Sequence, residues 1–195
     1  MRRSLVAVTV LLALAGAALA ADEVRKVQTP ARAQPTPPAP INPSPQGSQI
    51  TSQIYVGEPA PDFEADGSRG RPVRLRHLKG YWVLLVFAER RGELAPLQAA
   101  EPELRKLGVK PYGVCADKAH VLRTYAQRQA LPYELLSDVT REISQLYGLS
   151  DARMSVVRPG LVLIDRQGRV RMALLGQAIA TDDLVDLVRS AVTGT

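Results

Sequence analysis

The sequence predicts an α/β fold, a central mixed sheet flanked by helices, preceded by a secretory leader and a proline-rich linker. Three observations carry that reading. Strand-length apolar runs alternate with amphipathic helical stretches, the last two strand patterns are joined by a tight turn, and the first fifty residues differ in composition from everything after them.

Arg2 and Arg3 precede an apolar run from Leu5 to Leu19, which ends in Ala18-Leu19-Ala20 before the polar Ala21-Asp22-Glu23. A basic start, an apolar middle and a small-residue cleavage site describe a signal peptide over residues 1–20, cut after Ala20. At about fifteen residues the run is short of the roughly 20 that span a bilayer, which disfavours an uncleaved anchor. The expected localisation is therefore export, to a periplasm or the outside of the cell. Residues 21–50 form the linker. Seven prolines, from Pro30 to Pro45, interrupt any ladder or helix and favour an extended polyproline tether.

The domain then occupies residues 51–195, long enough for one hydrophobic core. Tyr81-Trp82-Val83-Leu84-Leu85-Val86-Phe87-Ala88 is uninterruptedly apolar, as suits a strand covered on both faces. Residues 95–107 read as a helix, with Pro96 in the first turn and Pro102 expected to kink it. Residues 109–115 read as a second buried strand. Residues 118–129 place Val121, Leu122, Tyr125 and Ala126 on one helical face. Residues 140–147 are expected to be helical and closed by Gly148. Leu161-Val162-Leu163-Ile164 is a third buried strand, Asp165-Arg166-Gln167-Gly168 a turn, and residues 169–175 the hairpin partner. A last helix is expected with Thr181 as its N-cap and Leu184, Leu187, Val188 and Ala191 as its buried stripe. Asp182, Asp183 and Asp186 are explained by that helix start rather than by a metal.

Composition removes several function classes. One cysteine, Cys115, and two histidines leave no internal disulfide, no CxxC pair and no paired-cysteine zinc site. There is no glycine-rich phosphate loop, no GxSxG elbow and no HExxH motif. The chain carries 25 Lys+Arg against 19 Asp+Glu, a net charge of +6. Loss of Arg2 and Arg3 with the leader lowers this to +4, and the domain from residue 51 holds 20 basic and 17 acidic residues, a net +3. That is too modest to imply nucleic acid as a partner, and the basic stretch Arg69, Arg71, Arg74, Arg76 and Lys79 lacks interleaved aromatics. An anionic envelope or membrane surface would suit it better, although a solvated strand face is the simpler reading. His77 and His120 stand beside charged neighbours and are expected to be solvated.

Strand, helix, strand, helix, hairpin and terminal helix is the order of a thioredoxin-like sandwich. Val56-Gly57-Glu58-Pro59-Ala60-Pro61-Asp62-Phe63 resembles the opening motif of the peroxiredoxin family, the AhpC/TSA branch of that fold. The resemblance continues through Leu75-Arg76-His77-Leu78-Lys79-Gly80, Tyr112-Gly113-Val114-Cys115-Ala116-Asp117, residues 131–138, Tyr147-Gly148-Leu149, and Arg158-Pro159-Gly160 leading into the third buried strand. It implies thiol-dependent peroxide reduction by an oxidoreductase without cofactor. The family's nucleophile is a thiolate in the first turn of the helix after the first long strand, acidified by the helix dipole, backbone N–H groups and an arginine.

Here that loop and helix start read Ala88-Glu89-Arg90-Arg91-Gly92-Glu93-Leu94-Ala95-Pro96-Leu97-Gln98, without cysteine or threonine. Ala95 falls near the place of the missing thiol. Arg158 matches the family's arginine over the thiolate, and Pro159 the proline that faces the site. Cys115 is the one possible redox thiol, expected to fill a small, half-buried slot at a strand end. Two functions follow: a non-catalytic module that binds a protein or small ligand at the former active-site edge, or a peroxide-reducing enzyme that uses Cys115.

Overall fold

A computed structural model describes residues 54–150 and 156–194. The expected leader and linker lie outside the described residues. The apolar run after Gly80 is β3 (Trp82–Ala88), the middle strand of a five-stranded sheet completed by β4 (Val109–Cys115), β5 (Glu134–Ser137), β6 (Gly160–Ile164) and β7 (Val170–Leu175) in the spatial order β5-β4-β3-β6-β7. β3, β4 and β5 are parallel neighbours, whereas β6 runs antiparallel to β3 and β7 antiparallel to β6, so the sheet is mixed as the sequence predicts.

The parallel pairs need crossovers, and helices supply them: α1 (Ala95–Lys106) between β3 and β4, and α2 (Ala119–Arg128) between β4 and β5. α3 (Glu142–Leu146) follows β5, and α4 (Thr181–Thr193) closes the chain. Side chains alternate across β3. Val83, Leu85 and Phe87 join Phe63, Ile143 and Tyr147 on one face, while Leu84 and Ala88 join Leu97 and Leu104 of α1, Leu122 of α2 and Leu184 and Val188 of α4 on the other. Two cores, one per face, explain why the central strands are apolar without interruption.

Three strands were not expected: the edge strand β5, and the three-residue strands β1 (Glu64–Asp66) and β2 (Pro72–Arg74), an antiparallel pair. The tight loop of that pair closes the outer edge of β5. The Ser68 amide donates to the Leu135 carbonyl at 2.8 Å, and the Leu135 amide donates to Ser68 Oγ at 3.1 Å, so one serine continues the ladder with a main-chain group and a hydroxyl.

Two expectations need correction. Thr181 is not the N-cap of α4. Ala180 holds that extended position, no side chain caps the helix, and Asp182 and Asp183 in the first turn face the exposed amides and the dipole. α3 is shorter than residues 140–147, because Arg141 adopts a left-handed φ of 60° and helical hydrogen bonding starts only after it. Pro102 lies inside α1 without ending it, its exposed ring on the side away from the core. Gly148 does close α3, with a φ of 72°.

Candidate functional site

β3 and β4 are parallel and end together, with Ala88 opposite Cys115, so the loops that follow them meet at one edge of the sheet. Ligands of open α/β sheets bind at this edge, outside the carboxyl ends of the strands. A 3-10 turn at Arg91–Leu94 carries the chain from β3 into α1. Leu94 and Leu97 anchor it in the core, and Ala95, the first residue of α1, is exposed at the helix N-terminus with Pro96 behind it. Proline is well suited there, since its missing N–H would have had no helical partner. The positive end of the helix dipole, without a side-chain cap, therefore faces a methyl group. No residue from 88 to 98 is a cysteine or threonine.

Cys115 lies at the same edge but faces inward. It is 1% exposed and packed in the cluster that holds Leu94, Leu97, Leu122 and Leu135. The slot is fully rather than half buried. Burial, and after it the nearby Asp117 carboxylate, pushes the thiol up to about 12, with Arg91 partly opposing the shift. Arg91 is itself occupied, pairing with Asp117 at 3.0 Å.

Arg158 is an exposed residue in the segment before β6, next to the buried Val157. Its guanidinium donates to the Gly148 carbonyl at 2.9 Å and its amide to the Leu149 carbonyl at 2.8 Å. Among the described residues no hydrogen bond or ion pair joins Arg158 to Cys115 or Ala95. Cys115 is sealed in the core while Ala95 and Arg158 are exposed, so the three do not share one open pocket. Pro159 and Gly160 do meet the helix start: with Phe87, Leu94, Pro96 and Leu97 they line a cavity of about 200 Å³ whose rim includes Glu93 and Gln177.

The residue that sequence reasoning missed is Glu89, directly after β3. One oxygen accepts from the Arg141 guanidinium at 3.0 Å and the other from the Val157 amide at 2.6 Å. This carboxylate ties the β3–α1 loop to the turn before α3 and to the segment before β6. Both side chains are about a quarter exposed, and Arg141 Nε is buried without a partner. Fifty-two residues separate the pair, and nothing in the sequence couples them. Below it, Asp138 accepts from the Ile143 amide, the Ser144 amide and Ser144 Oγ at 3.0, 2.8 and 2.6 Å. Burial raises its pKa against the pull of those bonds.

His77 and His120 are exposed, and among the described residues no three His, Cys, Asp or Glu side chains converge as a metal site. Asp186 of α4 pairs with Arg189 at 2.7 Å. The basic stretch is partly neutralised, Arg74 by Glu64 at 2.7 Å and Arg76 by Asp62 at 3.5 Å.

A mixed sheet between helices, with one helix opening at the strand-end edge beside a proline before the antiparallel strand, defines a thioredoxin-like domain of the peroxiredoxin kind. The family model described as "AhpC/TSA family" matches residues 56–173, and the chain belongs to that family. Among its relatives, a peroxiredoxin of Thermoplasma volcanium is 25% identical over 150 residues, covering 70% of this chain and 72% of the relative. Peroxiredoxin-2 of Macaca fascicularis is 32% identical over 133 residues, covering 60% and 67%. The crystal structure of peroxidoxin BcpB from Mycobacterium tuberculosis superposes with a TM-score of 0.63 at 20% identity, over 73% of this chain and 98% of the other, a likeness of fold.

Proposed function

We propose that this chain is an exported, tethered peroxiredoxin-like domain without the catalytic thiol, a non-catalytic module that binds a protein or small ligand at the former active-site edge. Family membership supports a peroxide-reducing redox role in general terms. The observation that directs the reading away from catalysis is Ala95 at the first position of α1, where a thiolate would receive the helix dipole. With its thiol at about 12, Cys115 is ionised in roughly one molecule in 10⁵ at neutral pH. Thiol peroxidase chemistry needs the thiolate, so a sealed, neutral thiol forfeits its main source of rate. The Pro159 cavity beside the helix start offers an apolar surface with a carboxylate at its rim, which suits binding better than peroxide reduction.

The opposing reading, peroxide reduction through Cys115, rests on the family and on the position of this thiol at the strand-end edge. A peroxide-consumption assay on the protein lacking residues 1–20, with a dithiol donor and beside Cys115→Ser, separates the two. The binding-module reading expects both proteins to match the no-protein rate. Turnover that disappears in Cys115→Ser would overturn it.

A further inference from the structure

We propose that a second cavity, at the opposite end of the sheet from Ala95, binds a small amphiphilic carboxylate, with its head on Lys79 and Arg169 and its chain along Leu78, Val83 and Ile164. Val83 is near the start of β3 and pairs with Ile164 at the end of antiparallel β6, so this site is a full strand length away from the α1 start. The cavity measures about 460 Å³, within the range of small-molecule pockets. Its floor is core: Leu75, Val83 and Ile164 are each under 7% exposed.

The unused hydrogen-bonding capacity at the mouth is cationic. Two carboxylates line the cavity, and both are spent. Asp62 accepts from the Arg76 amide at 3.0 Å and pairs with its guanidinium, and Asp165 accepts from the Gln167 and Arg169 amides at 2.9 Å each, with the Arg171 guanidinium at 3.6 Å. Among the described residues no salt bridge involves Lys79 or Arg169. Arg169 uses Nη1 on the Gly57 carbonyl at 2.8 Å, leaving the rest of its fork. Lys79 lays its stem along Gly168, with Cε 3.5 Å from where a Cβ on that glycine would stand, which brings the ammonium to the mouth. Gly168 has a φ of 83°, so the turn requires glycine, and the Lys79 stem packs over it at van der Waals distance. An apolar floor under free donors selects a single-headed anion with a hydrocarbon body; a phosphate or sugar would leave the floor bare.

The test titrates the domain with decanoate, hexanoate and decanol by calorimetry, and follows amide shifts by NMR. Decanoate should bind at least tenfold more tightly than hexanoate, since each methylene buried adds up to about fourfold. Shifts should centre on residues 75–79 and 164–169. Lys79→Glu, on an exposed residue that carries no packing of the core, should keep the melting temperature and weaken decanoate at least tenfold while leaving decanol unchanged. Absence of decanoate binding, equal affinity in Lys79→Glu, or shifts confined to residues 93–97 and 159–161 would each overturn the proposal. So would binding to anionic phospholipid vesicles without any to free decanoate, which would assign the basic mouth to a membrane surface.

Discussion

Raising the pH on a protein whose one thiol is sealed in its core should destabilise it by an amount the structure sets. In the unfolded chain Cys115 titrates near its ordinary value of 9.0, and in the folded protein near 12. The folded state therefore holds the proton over a range in which the unfolded state gives it up, and stability falls as pH rises through that window. At pH 10 most unfolded chains carry a thiolate and almost no folded ones do, which corresponds to a loss on the order of 1 kcal/mol relative to pH 7. Urea unfolding at pH 7 and pH 10, on the wild type and on Cys115→Ala, isolates this group, because the difference between the two proteins cancels every other titration. Labelling with a thiol-reactive disulfide gives the same answer kinetically. At pH 8 the folded thiol has roughly 10³-fold less thiolate than a free cysteine, so reaction should be at least that much slower until denaturant is added. Fast stoichiometric labelling of the folded protein, with no difference between the two proteins at pH 10, would refute both the buried position and the argument against Cys115 as a catalyst.

Ala95→Cys places a thiol at the exposed start of α1, and its pKa, read from thiolate absorbance, should fall below that of the same cysteine in the unfolded chain; a value at or above it would show that this helix start lacks the field assigned to it. Glu89→Gln removes the charge that Arg141 faces but keeps an acceptor for the Val157 amide, and should cost about 1–2 kcal/mol in urea unfolding; a double-mutant cycle with Arg141→Gln should show the coupling, and additivity would contradict it. Gly160→Ala would put a Cβ 2.7 Å from the Leu174 carbonyl and 2.8 Å from Leu149 Cδ2, and a loss of about 1–3 kcal/mol is expected from the denaturation midpoint. Asp138 has a folded pKa above 3.8, so the folded state takes up its proton first and the wild type should gain stability on Asp138→Asn as pH falls through that folded value; a gap that narrows on acidification would reverse the assignment.

What the sequence made legible follows from the two cores. A strand covered on both faces leaves a continuous apolar run, so β3 and β6 stand out, and the stripe of α4 is plain at Leu184 and Val188 although Leu187 faces outward. β1 and β2 left no such trace, because Glu64–Asp66 and Pro72–Arg74 bury single residues at most and their pairing comes from a turn. The emptiness of the helix start could be read directly, since it concerns which residue stands after a strand. The depth of Cys115 was not legible, because whether a small residue at a strand end faces the core or the edge depends on how α1 and α2 pack over it. The Glu89–Arg141 tie and the Lys79 cavity were illegible for one reason, that each is assembled from segments far apart in the chain.

Ser68 carries a consequence beyond local geometry. A four-residue strand at the rim of a sheet is an invitation to any extended chain, and here a loop with a single hydroxyl occupies it. Ser68 is 4% exposed and Leu135 is fully buried, so Ser68→Ala would leave a buried amide without its acceptor, at a cost of about 1–3 kcal/mol, while the Ser68 amide still covers the edge. Its effect would be read in the denaturation midpoint, so the same hydroxyl that blunts a sheet edge also secures the strand that forms it.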